Sequence, residues 1–83
     1  MKLPVIRHLQ KNSSKEELQN TADVLEVLSE HRSVKENEMN FIGELLTNLY
    51  GAMEVHDMME QEDMSQIDAA NAFAQKVLGS IDQ

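Results

Sequence analysis

The sequence has no cysteine, no tryptophan, one proline and three glycines in 83 residues. Without cysteine there is no disulfide, no thiol nucleophile, no thiol redox chemistry and no Cys-ligated metal. That composition fits a reducing compartment. The aromatic residues are Phe41, Tyr50 and Phe73 alone, which leaves little to stack on a base or a flat cofactor. Basic residues are scarce too: seven Lys and Arg stand against fifteen Asp and Glu, a formal charge of −8. Nucleic-acid binding depends on Lys and Arg to neutralise phosphates, so this balance argues against it. No segment approaches the roughly 20 apolar residues of a membrane span. The apolar run within Met1–His8 is too short for a secretory signal. The expectation is a cytoplasmic protein that binds neither nucleic acid nor membrane.

A chain of this length forms one domain, residues 1–83. It buries only about 60–65% of the surface its unfolded form exposes, so its margin of stability is thin. With disulfides excluded, metal binding and self-association are the remaining common supports. The charge is unevenly placed. Lys2, Arg7, Lys11 and Lys15 occupy the first fifteen residues with no acid among them, whereas Glu36 to Gln75 carries nine acids and no Lys or Arg. A basic arm and an acidic body can attract each other, within one chain or between two, or both can simply be solvated.

The apolar pattern is helical throughout. Leu3–Gln10 reads as a short helix opened by Pro4, with Val5 and Leu9 one turn apart, or as an extended edge segment. One strand without a partner is unfavourable, so the helix is preferred. Ser13 stands three residues before Glu16 and Ser14 three before Glu17; either pair forms a capping box. A helix follows from about Ser14 to His31, with Leu18, Ala22, Leu25 and Leu28 on its apolar face and Val24 and Val27 on the flanks. Ser33 with Glu36 is a second capping box, opening a helix from Val34 to about Glu60. Its apolar face holds Met39, Ile42, Leu45, Leu46, Leu49 and Met53. With Phe41, Ala52, Met59, Tyr50 and Val55 the apolar arc widens to about 220°, well beyond the ≳100° stripe of an ordinary surface helix. Such an arc requires contacts on two sides.

Gly43 borders that arc, where it permits close backbone approach. Gly51 points toward the polar side and marks a bend, or else it ends one helix before Met53 begins another. Gln61–Ser65 is a polar turn, and Ser65 with Asp68 a third, weaker capping box. The last helix carries Ile67, Ala70, Ala74, Val77, Leu78 and Ile81 on one stripe, with Phe73 at its edge. Gly79 is placed as its C-cap, with Ile81 as a hydrophobic latch beyond it. The expected fold is all-α: a three-helix antiparallel bundle with an N-terminal short helix or arm.

His56, Asp57 and Glu60 are the candidate site. His56 and Glu60 are four apart and share a helix face, so they could share a metal. There is no His-Glu-x-x-His and no Glu-x-x-His pair. A partly buried His bonded to an acid accounts for the pattern as well, and no cofactor is assigned. Asp57 to Asp63 lacks the alternating ligands and central Gly of a calcium loop. Met39 and Met53 fit the core phase. Met58 and Met64 do not, and suit an exposed contact. His8 and His31 are isolated. No nucleophile–base pair is legible, so no enzyme is expected.

Met1–Leu9 (MKLPVIRHL), Ile42–His56 (IGELLTNLYGAMEVH) and Val77–Asp82 resemble a family of short uncharacterised proteins from Bacteroidetes bacteria, a domain of unknown function. The resemblance implies a bacterial, cytoplasmic, α-helical protein and carries over no catalytic residue. It places Asn48, Tyr50, Gly51, Glu54 and His56 in the family's characteristic segment, and marks Tyr50 and His56 as places to look for a shared pocket or a subunit contact.

These readings lead to a small non-enzymatic interaction protein, a homodimer packed through the 36–60 helix. Phe41, Leu45, Leu49, Tyr50, Ala52, Met53, His56 and Met59 are expected at the interface. The alternative is a metal- or small-ligand-binding protein using His56, Asp57 and Glu60. A basic partner protein on the acidic face is a further possibility.

Overall fold

The computed structural model describes residues 1–81, with side chains through Leu78. Among these residues there are four α-helices and no strand: α1 (Leu3–Asn12), α2 (Lys15–Ser29), α3 (Glu36–Gln61) and α4 (Gln66–Ile81). The long helix α3 is the spine. Helices α1, α2 and α4 each pack on it and touch one another sparingly. The N-terminal segment is therefore a full core member, and the architecture is a spine with three helices laid on it. The Cα envelope measures 42 × 31 × 18 Å. Helices are about 10 Å across, so the thinnest dimension holds roughly two layers.

Local chemistry sets the helix boundaries. Pro4 lies in the first turn of α1, where its missing N–H is one of the orphan donors anyway. Ser14 caps α2 with a complete capping box: its Oγ accepts the Glu17 N–H at 3.1 Å and its own N–H donates to Glu17 Oε1 at 2.9 Å. That choice settles Ser14 over Ser13. The expected Ser33 cap does not form. Helix α3 opens one residue after Lys35, whose backbone N–H donates to Glu38 Oε1 at 3.0 Å. Lysine has no acceptor to return, so the carboxylate alone does the capping. Ser33 stays in the preceding turn, its N–H on His31 Nδ1 at 3.1 Å. Asp63, at φ 52°, provides the left-handed residue that turns the chain after α3. Ser65 Oγ then accepts the Asp68 N–H at 3.1 Å at the start of α4. Helix α4 runs through Gly79 to Ile81, so Gly79 does not cap it. The proposed Ile81 latch lies outside the described side chains.

The core gathers Ile6 from α1, Leu18 and Ala22 from α2, Leu49, Ala52, Met53 and Val55 from α3, and Ala69 and Phe73 from α4. Burying side chains such as Ile6 and Val55 contributes roughly 1.5–3 kcal/mol each. Helix α3 is unbroken at Gly51, and the roles of its two glycines are reversed from the sequence reading. Nothing approaches within 4 Å of where a Gly43 Cβ would lie, whereas a Cβ on Gly51 would sit 2.8 Å from Ile6 Cδ1 and 3.2 Å from Phe73 Cζ. Helices α1, α3 and α4 meet at Gly51 because it has no side chain. Phe73 filling that spot also sets the roll of α4. Ala69, Ala70 and Phe73 face inward, and Ile67 and Leu78 are left exposed, correcting the stripe read from spacing. In α2 the buried face ends at Leu25, and Leu28 is half exposed.

Candidate functional site

Both ends of α1 are held by side chains of α3. At its start, the Lys2 backbone N–H donates to Asn48 Oδ1 at 2.8 Å. Asn48 is buried and accepts the N-cap residue's own N–H from another helix, the part a Glu or Gln at the third position plays in a capping box. At its end, His56 Nε2 lies 2.8 Å from the Ser13 carbonyl oxygen. A carbonyl only accepts, so Nε2 carries the proton. These two contacts run α1 in the same direction as α3. Helix α2 runs back, with Lys15 paired to Asp57 and the Tyr50 hydroxyl donating to Glu26.

The α1–α2 hairpin therefore opens as a V over α3, its apex pinned at Ser13. Between its arms lies a crevice of about 310 Å³, walled by Val5 and Leu9 on one side and Thr21 and Leu25 on the other, with Leu45, Asn48 and Leu49 as floor. A separate, open hollow lies nearer the start of α3, bordered by Leu28, Asn37, Glu38, Phe41 and Ile42. Beside it, Val24, Val27 and Leu28 occupy positions i, i+3 and i+4 of α2 and form one ridge. They are 68, 67 and 51% exposed, and Phe41 is 62% exposed. These four side chains leave roughly 400 Å² of apolar surface bare, within the ~300–600 Å² of the largest patches on monomers, which are often functional. The flank valines of α2 were not singled out as contact residues in the sequence. The signal available for them is their three-residue spacing, which with Leu28 at i+4 continues one apolar stripe.

The expected interface residues divide. Ala52, Met53 and Leu49 are inside the chain's own core, because α1 and α4 close over the C-terminal half of α3. They are not free for a partner, apart from the part of Leu49 that floors the crevice. Met59 is half-buried against the core, with the Gln10 amide 3.2 Å from its sulfur. Tyr50 and His56 do not share a pocket, since one reaches α2 and the other the Ser13 turn. Phe41 and Leu45 remain on the surface the V leaves open. Met39, expected in the core, is 40% exposed, while Met58 and Met64, expected outside, pack against it.

The proposed metal set does not converge. Among the described residues no three His, Asp or Glu side chains are grouped as a metal requires. His56 is bonded to a backbone carbonyl rather than to an acid, and Asp57 pairs with Lys15. The hydrogen bond to Asp57, joined by the charges of Asp57 and Glu60, holds the Lys15 ammonium above its ordinary pKa despite partial desolvation. The basic arm is thus partly spent within the chain, through Lys15 and through Lys2, whose Nζ lies 3.9 Å from Glu44.

A family model covers residues 1–82 of the chain, that of a family of unknown function, DUF6952. The chain belongs to this family. Comparison with curated proteins and with solved structures gave no match. As a DUF6952 member it inherits no assigned chemistry, and its site must be read from geometry. None of its described helices is long and apolar enough to cross a membrane.

Proposed function

We propose that this DUF6952 protein is a non-enzymatic helical interaction module that associates with itself through the open side of the α1–α2 hairpin. The observation that carries this reading is the uncovered apolar surface of Val24, Val27, Leu28 and Phe41 around a crevice with almost no polar lining. A chain of 83 residues has little stability to spare, and covering this face adds to it. The contact differs from the one expected from the sequence. It uses the first half of α3 together with α1 and α2, because the second half of α3 is already wrapped.

Each copy carries a charge of −8, so apolar burial must overcome repulsion between like-charged copies. Added salt screens that repulsion and should tighten self-association. Binding to a basic partner through the acidic surface would instead weaken with salt. Light scattering across a salt series separates the two: a mass that stays that of one chain at every salt concentration contradicts self-association.

A further inference from the structure

We infer that the α2 ridge of one copy seats in the crevice of a second, and that the second copy's ridge returns the contact about a two-fold axis running alongside α2. This rests on the self-association reading and specifies its geometry. The chain carries both halves of the contact on one side and cannot join them to each other. The ridge residues Val24 and Leu28 sit on the same helix as Leu25, which walls the crevice, so the ridge cannot bend round to fill it. A two-fold rotation brings a second ridge over the first crevice and the first ridge over the second, an isologous contact made twice. The volumes agree: about 310 Å³ is roughly twice the ~150 Å³ cavity that accepts a benzene-sized group, room for the side chains of Val24 and Leu28. The areas agree as well. A bare apolar centre of roughly 400 Å² fits inside the ~800 Å² per partner of a standard interface, with a polar rim making up the rest. The crevice floor adds one polar feature. Asn48 accepts the Lys2 N–H through Oδ1, which fixes the amide in the floor and leaves the remaining lining aliphatic apart from Thr21. A segment presenting only branched aliphatic side chains at i and i+4 matches it, and Val24 and Leu28 are such a pair.

Two measurements on the full chain test this. In the first, Val24→Asp is combined with Leu28→Asp. Both positions are exposed, so the helix content seen by circular dichroism should be retained. The dimer dissociation constant should rise by at least about 100-fold, because each carboxylate would be buried unpaired in an apolar crevice. In the second, chains carrying Val5→Cys are mixed with chains carrying Val24→Cys and oxidised. The sequence has no cysteine of its own, so a disulfide between positions 5 and 24 reports that contact alone. Asn40→Cys, on another face of α3, serves as the control partner and should not cross-link. A dimer unaffected by the two aspartates overturns the ridge-in-crevice geometry while leaving self-association intact. Loss of the dimer without a 5–24 cross-link overturns the seating as well. A wild-type chain that is monomeric, or monomeric with a small apolar molecule retained in native mass spectrometry, overturns both.

Discussion

Gly43 and Gly51 lie in the same helix, and intrinsic propensity treats them alike. Replacing a helix-interior Gly by Ala gains about 0.5–1 kcal/mol. At Gly43 the new methyl meets nothing within 4 Å, so Gly43→Ala should keep that gain and raise the unfolding midpoint by roughly 2–8 °C for a domain of this size. At Gly51 the methyl would sit 2.8 Å and 3.2 Å from Ile6 Cδ1 and Cγ1 and 3.2 Å from Phe73 Cζ. Ile6 is 1% exposed and Phe73 2%, so neither can retreat without moving α1 or α4. Overpacking of this kind destabilises by about 1–3 kcal/mol, and the propensity gain offsets only part of it. Gly51→Ala should therefore lose up to about 2.5 kcal/mol net, and never show the gain of Gly43→Ala. Urea unfolding followed by circular dichroism decides it, with both variants at one chain concentration because self-association couples stability to concentration. Adding Ile6→Val removes the nearest methyl, and it should be less damaging in the Gly51→Ala background than in wild type, a non-additivity expected of touching residues. If Gly51→Ala stabilised as much as Gly43→Ala, the three-helix meeting point at Gly51 would be refuted.

Three further perturbations probe separate parts of the account. Asp63 holds φ 52°, a conformation that costs non-glycine residues about 1–2 kcal/mol; Asp63→Gly should stabilise the chain and Asp63→Val destabilise it, read from urea midpoints. The Ser14 backbone N–H, followed by its hydroxyl, holds the Glu17 carboxyl below the usual glutamate range. An acid with a depressed folded pKa contributes stability that is complete above its unfolded value, about 4.3, and is lost as pH falls through the lower folded value; Glu17→Gln should flatten that part of the stability–pH curve, and an unchanged curve would contradict the cap. Removing the His56 donor leaves the Ser13 carbonyl unmet, so His56→Ala should lower stability by about 1–2 kcal/mol, whereas zinc should leave the wild-type midpoint where it is; a zinc-dependent rise abolished in His56→Ala would restore the metal reading.

Much of the fold was legible because it rests on local chemistry. The serine–glutamate spacing at Ser14 and Glu17 placed the start of α2, and the three- and four-residue apolar spacing placed α3 as one long helix. What was missed depends on neighbours. The wheel of α3 centred on its longest apolar stripe, yet α1 and α4 pack around toward Gly51 and Val55, so Gly51 is buried and Met39, on the other flank, is left out. In α4 the bulk of Phe73, fitted to a hollow in α3, outweighed the longer stripe of smaller residues. Of the surface the V leaves open, Phe41 and Leu45 belong to the apolar arc that spacing gives for α3. Val24 and Val27 were passed over as flanks, because nothing in α2 alone says that α1 diverges from it and leaves an apolar V between them. Asn48 and His56 gave a partial signal, as polar residues inside an apolar segment. Their shared task, holding the two ends of α1, appears only when α1 is laid alongside α3.

Sedimentation equilibrium of the wild-type chain at tens of micromolar tests the central claim most directly. The uncovered face of α2 and α3 predicts a mass twice that of the 9.4 kDa chain, held more tightly as salt is added. A single-chain mass at all concentrations would contradict it.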